Sequence, residues 1–111
     1  MSAAPIDPHT FDALQATAGA DFVAELVETF ADEAPALVAE LRDARVAHAA
    51  DRFRRAAHSI KSNASTFGAG HLAGLALALE LGGLPGDGAG VEACAREVEA
   101  AIGALRALAR A

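Results

Sequence analysis

The sequence predicts an all-α fold: an antiparallel up-down four-helix bundle with an additional short N-terminal helix. Apolar residues recur every three or four positions over long stretches, and the alternating pattern of half-buried strands is missing. Only one connection, "GGLPGDGAG" at about residues 82–90, is long and rich in glycine. The other connections are short, and short connections favour antiparallel neighbours.

The first two helices are predicted from end signals and apolar spacing. In "IDPHTFDALQATA", Asp7 is a suitable N-cap, Pro8 is tolerated in the first turn, and the helix ends near Gly19. The second helix runs from about residue 21 to residue 45, and Pro35 is expected to kink or split it because proline lacks a backbone N–H. Its predicted buried stripe consists of Phe22, Leu26, Phe30, Leu37 and Leu41.

The remaining three helices complete the bundle. The third runs from about Ala49 to Phe67, the fourth lies in "HLAGLALALELGG", and the fifth in "VEACAREVEAAIGALRALA". The predicted core positions of the last two are Leu72, Leu75 and Leu79, followed by Val91, Cys94 or Ala95, Val98, Ile102 and Leu105.

Length and composition indicate one stand-alone domain over residues 1–111, with a flexible N-terminus of about residues 1–6. The single cysteine, Cys94, permits no internal disulfide and suits a reducing compartment. No signal peptide and no apolar run of about 18 residues are visible, so we expect a cytoplasmic protein without membrane contact. A net charge of −6 and a scarcity of aromatic residues argue against nucleic-acid binding.

The third helix carries one histidine away from its apolar stripe. At about 100° per residue, Phe53, Ala57, Ile60, Ala64 and Phe67 share one face, which is the predicted core stripe. His58 lies well off that face, and its helical neighbours at three and four residues are Arg54, Arg55, Lys61 and Ser62.

These neighbours suit a histidine that reacts with an anion. Cations beside the imidazole disfavour a further positive charge on it, so more of the ring is neutral and nucleophilic. The same cations attract an arriving anion, and the hydroxyls of Ser62 and Ser65 can donate hydrogen bonds to it. Reversible phosphorylation of His58 is one function that this arrangement favours; a solvated surface histidine without a function is the simpler alternative.

The stretch "AAHSIKSNASTFGAGHLAGLALALE" resembles the signature of histidine-containing phosphotransfer (HPt) domains of two-component phosphorelays. His58 matches the phosphorylated histidine, Ile60 the aliphatic residue, Lys61 the lysine, and Gly68 with Ala69 the later glycine and alanine. The upstream "FVAELVETFADEAPALVAELRDA" is similar to the second helix of the family. The sequence departs from the pattern in two places: Ser62 replaces a glycine, and His48 and Ala49 stand where the family often has Gly-Asp before the helix.

The resemblance implies a carrier rather than an enzyme. The glycine-rich loop is not followed by Gly-Lys-Ser/Thr, so no ATP site is visible, and the phosphoryl group must come from a receiver-domain aspartate. His58 would accept it at Nε2, with Lys61, Ser62 and Ser65 stabilising it. The chain needs no cofactor of its own, because the Mg²⁺ would belong to the receiver.

The predicted site also includes two arginines for partner docking and one glycine for packing. Arg54 and Arg55 would steer the acidic rim of the receiver toward His58. Gly68 would serve packing at the helix end. The kinase, the regulator and the direction of phosphoryl flow are not determined by the sequence, and we expect a monomer, although Leu77 and Leu81 could support a pair.

Two alternatives stay open, and a metal site is not expected. The main one is an HPt-like adaptor that binds a receiver or kinase without being phosphorylated. A purely structural bundle would have apolar residues at Arg54, Arg55 and Lys61. A metal site lacks support because the four histidines show no pairing at four-residue spacing, and we expect none.

Overall fold

The computed structural model describes residues 4–111 and contains five helices and no strand in that range. Every predicted helix is present, with its ends close to the predicted positions, and the all-α class is confirmed. The helices are α1 (Pro8–Ala18), α2 (Ala20–Val46), α3 (Ala50–Phe67), α4 (Gly70–Leu81) and α5 (Ala89–Arg110).

Four helices close into a ring around one apolar core. α2 contacts α3 and α5, and α4 contacts the same two helices, so each member has two neighbours. α1 packs against α2 and α3. No polar or charged residue is buried within residues 4–111. The largest fully buried side chains are Phe11, Phe53, Leu41, Ile60, Leu72, Leu105, Val23, Val27, Val91, Val98 and Cys94.

The buried stripe of α2 differs from the predicted one. Phe22 is 52% exposed, and Leu26 and Leu37 are only partly buried. Four-residue steps advance about 40° round a helix, so Phe22 lies about 80° from Phe30 and outside the core arc. The buried residues of α2 are spaced by a mixture of three and four positions, so they stay on the side of the helix that faces the core. These residues are Val23, Val27, Phe30, Ala34, Val38, Leu41 and Ala44.

Pro35 does not split α2, which continues as one helix of 27 residues. Proline removes the N–H that would bond to the carbonyl of Ala31, so one hydrogen bond of the helix is missing at this point. The flanking turns hold the helix together, because Ala34 and Val38 are buried in the core on either side of the proline.

The C-terminal end of α3 is closed by a glycine that also anchors α1. Gly68 has a φ of +77°, and its N–H caps the helix through the carbonyls of Ala64 and Ser65. A Cβ at this position would lie 2.6 Å from the Cβ of Thr10, so both the backbone conformation and the close approach of α1 require glycine. The Gly68 carbonyl accepts a hydrogen bond of 2.9 Å from the N–H of Asp7.

The N-terminal end of α3 is less well adapted. His48 holds a φ of +54°, a left-handed conformation that costs a side-chain-bearing residue free energy. The N-cap residue, Ala49, offers no side chain to the first turn, and Asp51 is the only acid there. The family pattern has Gly-Asp at these two positions. Replacing the glycine by His48 leaves a side chain in a left-handed conformation, and replacing the aspartate by Ala49 leaves the helix without a side-chain cap.

The N-terminal segment and the α4–α5 loop are each shorter than the sequence predicted. Ile6 is buried in the core, so it does not belong to a flexible N-terminus, and residues 1–3 of that prediction lie outside the described residues. The loop between α4 and α5 covers residues 82–88, two residues fewer than expected. Among residues 4–111, no helix combines the length and the apolar character needed to cross a membrane.

Candidate functional site

His58 lies on the outer face of α3 with 54% of its side chain exposed. The residues on the opposite face, Ala57, Ile60 and Ala64, are fully buried. The apolar periodicity of α3 therefore fixes the direction of the imidazole, because a rigid helix whose one face is anchored in the core must turn the other face to solvent.

Glu80 of α4 is the closest polar partner of this histidine. The Nδ1 atom of His58 lies 3.0 Å from Oε2 of Glu80, across 22 residues of sequence. The Glu80 side chain is only 14% exposed, so its carboxylate is held between the two helices. Glu80 lies in the stretch of α4 that resembles the family, but the sequence did not predict a part for it in the site. Its only sequence signal is that it is the single charged residue of α4.

Lys61 contacts the other oxygen of the same carboxylate. Its Nζ lies 3.0 Å from Oε1 of Glu80, and its side chain is 27% exposed. This contact is an ion pair. The Oε1 atom is buried, and no donor among residues 4–111 is oriented to form a hydrogen bond with it. Instead of cations crowding the imidazole, the site thus places one carboxylate between His58 and Lys61.

The ionisation of Glu80 determines which nitrogen of His58 is free. The Lys61 ammonium, and secondly the His58 ring, hold the pKa of the Glu80 carboxyl below its ordinary value of 4.5. At neutral pH the carboxylate is therefore ionised and can only accept hydrogen bonds. The Nδ1 atom must then carry the proton in this contact, which leaves the lone pair of a neutral ring on Nε2.

The other predicted site residues lie at different distances from His58. Ser62 lines the same surface groove as His58. Ser65 is exposed but lies seven residues along the helix, about 10 Å of rise, so the structure does not bring it to the imidazole. Arg54 and Arg55 are both exposed one turn before His58, and Arg54 makes a 3.8 Å ion pair with Asp51.

His58 opens onto a surface groove of about 470 Å³ between α2 and α3. The groove has an apolar floor from α2 and polar side chains from both helices. Its lining consists of Glu33, Ala36, Leu37, His58, Ser59, Ser62 and Asn63. The imidazole is thus reachable from the α2 side, while the carboxylate of Glu80 supports it from the α4 side.

Three other potential sites show no corresponding arrangement. Within residues 4–111, no group of three or more His, Cys, Asp or Glu side chains is placed to hold a metal ion. Cys94 is buried in the core, where loss of hydration raises the pKa of its thiol to about 11. Loop 82–88 ends in a local cap, in which Asp87 accepts a hydrogen bond from the N–H of Ala89.

Comparison with known proteins identifies the family to which this chain belongs. Residues 25–108, most of the chain, match the family model described as Hpt domain, and the chain belongs to that family. Hpt domains are helical phosphocarrier modules of two-component signalling that interact with receiver domains and are not kinases. No curated protein and no solved structure matches the chain significantly.

Proposed function

We propose that this chain is a histidine phosphotransfer protein that shuttles a phosphoryl group between a receiver-domain aspartate and His58 in a phosphorelay. The observation that supports it best is the half-exposed imidazole whose Nδ1 is hydrogen bonded to the largely buried Glu80 carboxylate, with Nε2 left without a partner among residues 4–111. Family membership supports the class of reaction, and this contact supports the residue and the atom.

In the proposed step, the lone pair of Nε2 attacks the phosphorus of the aspartyl phosphate. The N–P bond forms as the P–O bond to the aspartate breaks, and the aspartate leaves as a carboxylate. The ring then carries a proton on Nδ1 and the phosphoryl group on Nε2, so it is positively charged. The Glu80 carboxylate stabilises this charge through a charge-assisted hydrogen bond. In reverse transfer the same protonated ring is a good leaving group.

Lys61 and Ser62 have distinct roles in this proposal. Lys61 holds Glu80 ionised in the resting site, and its partly exposed ammonium can also attract the phosphoryl oxygens. Ser62, one turn after His58 and in the same groove, can donate a hydrogen bond to them. Ser65 lies about 10 Å of helix rise away, and we assign it no contact. Any Mg²⁺ belongs to the receiver.

The proposal extends to the direction of the helices, the oligomeric state and the cellular compartment. We take the helix ring to be the antiparallel up-down bundle, because α2–α3 and α3–α4 are joined by residues 47–49 and 68–69 alone. We also expect a monomer acting in the cytoplasm. Arg54 and Arg55 flank His58 on the exposed side, where they can steer an acidic receiver.

The proposal is tested with a panel of receiver domains phosphorylated by acetyl phosphate. Each is mixed with the wild type, His58→Gln, and the control His71→Gln, which removes another exposed histidine. We expect an acid-labile phosphoryl adduct on the wild type and on His71→Gln, and none on His58→Gln, in intact-mass spectra.

The adaptor alternative makes a different prediction in this experiment. A receiver that binds the wild type and His58→Gln equally, while neither protein gains a phosphoryl group from receivers or from phosphoramidate, would overturn the carrier proposal. Labelling of both proteins would place the phosphoryl group on another residue and overturn the assignment to His58.

A further inference from the structure

The groove beside His58 is the middle section of a longer groove along α2 and α3. Toward the start of α3 it continues into a section of about 250 Å³, and the two sections share Leu37 and Ser59. Toward the end of α3 it continues into a section of about 200 Å³, and these two share Glu33 and Asn63. The three sections follow one another along α2 from Leu26 to Glu40, a rise of about 21 Å, which corresponds to about four turns of a helix.

Two charged side chains of opposite sign line this groove without an ionic partner. Arg55 lines the section at the start of α3, and Glu33 lines the middle section and the section at the end of α3. Neither makes an ion pair with any of residues 4–111. The other two charges in the groove, Arg52 and Glu40, bind each other through two hydrogen bonds. The groove therefore has a basic end and an acidic end, with His58 between them.

We infer that this polarity selects the receiver and fixes the direction in which it docks. The occupant is a receiver-domain helix with an apolar ridge on Ala36 and Leu37, an acidic side chain facing Arg55 and a basic side chain facing Glu33. This inference rests on the proposed function, because His58 in the groove is the group that the receiver must reach. A helix docked in the opposite direction would bring like charges together at both ends.

A second copy of this chain also carries both charges, but it would cover His58 in both molecules and stop the transfer. A receiver must instead approach this surface for the transfer to occur. The groove is therefore assigned to the receiver, and self-association is left as an outcome of the test.

The test uses charge reversals with matched controls. Glu33→Lys is compared with Glu25→Lys, an exposed acid of α2 that does not line the groove. Arg55→Glu is compared with Arg96→Glu on α5. The probes are receiver domains that exchange phosphoryl groups with the wild type. Each transfer rate is divided by the rate of the same variant with phosphoramidate, which needs no docking.

We expect each groove variant to slow receiver transfer about tenfold at low salt and each control less than about twofold, with the difference shrinking as salt is added. Restoration of the rate by a reversed charge on the receiver helix would identify the facing pair. Groove variants that change transfer no more than their controls would overturn the inference while leaving the carrier function intact. A wild-type dimer that Glu33→Lys dissociates would also overturn it. A wild type that phosphoramidate and every receiver leave unlabelled would contradict the proposed function itself.

Discussion

The two faces of α3 show how one helix serves packing and chemistry separately. The inner face is apolar and buried, with Phe53, Ile60 and Phe67 at most 4% exposed. The outer face carries His58, half-exposed and held by a single carboxylate from α4. The inner face depends on many nonspecific apolar contacts, whereas the position of the imidazole depends on one hydrogen bond to a carboxylate that also pairs with Lys61.

The contrast teaches that the site is positioned by a part of the helix that takes no part in the reaction. Burial of the inner face sets the rotation of α3, and that rotation presents the imidazole to solvent. The outer face can then vary in sequence without loss of the fold, since its side chains form no part of the core. Stability and phosphorylation should therefore respond to different substitutions on the same helix.

The largest expected effect comes from the inner face. Ile60→Ala removes a fully buried side chain and should lower the free energy of unfolding by about 2–5 kcal/mol, because a cavity remains in the core. Urea denaturation measures this loss. Ile60→Val should cost only about 0.5–1.5 kcal/mol and remain folded. Phosphoramidate labelling of His58 per folded molecule should be unchanged in Ile60→Val; a comparable loss of labelling would show that the two faces are not separable.

The outer face should respond in the opposite way. Glu80→Gln cannot stabilise a charged imidazole and allows either ring tautomer, so we expect phosphoryl transfer to slow about tenfold. The pH profile of the rate and the ¹⁵N shifts of the His58 ring measure this directly. The control is Glu28→Gln, which breaks the bidentate pair with Arg106 at a distance from the site. An unchanged tautomer and pH profile in Glu80→Gln would remove Glu80 from the mechanism.

The N-terminal end of α3 should be improvable without touching either face. His48→Gly relieves the left-handed strain at φ +54° and should raise the free energy of unfolding by about 1 kcal/mol. The gain is measured as a higher urea midpoint, with the transfer rate as a second readout. His71→Gly, a control at an exposed position in the first turn of α4, should give no gain. A loss of stability in His48→Gly would mean that the His48 side chain contributes more than its backbone conformation costs.

The smallest expected effects per residue are losses of stability at low pH. Arginine or lysine contacts lower the pKa of four carboxyls: Glu28, Glu40, Glu80 and Glu92. A lowered folded-state pKa contributes stability that is present above the ordinary value of 4.5 and is lost as pH falls through the folded-state value. The urea midpoint should thus fall as pH is lowered from about 5 to about 3. The slope should be shallower in Glu28→Gln; an identical slope would contradict the contribution of that pair.

Much of the fold follows from the sequence because helix formation and amphipathicity are local. The spacing of apolar residues gave all five helices, the inner face of α3 and the exposure of His58. Asp7 and Pro8 marked the start of α1, and the Asp7 carboxylate does cap it through the N–H of His9. The prediction of the α2 stripe was wrong at Phe22 because its steps of four drift round the helix.

The contacts between helices were decided only by tertiary structure. The pairing of Glu80 with His58 and Lys61, and the groove that Glu33 and His58 both line, depend on how far each helix is shifted and rotated against its neighbour. Periodicity determines which side of a helix faces inward. It carries no information on the axial offset between neighbouring helices, and without that offset the carboxylate that meets the histidine cannot be identified from the sequence.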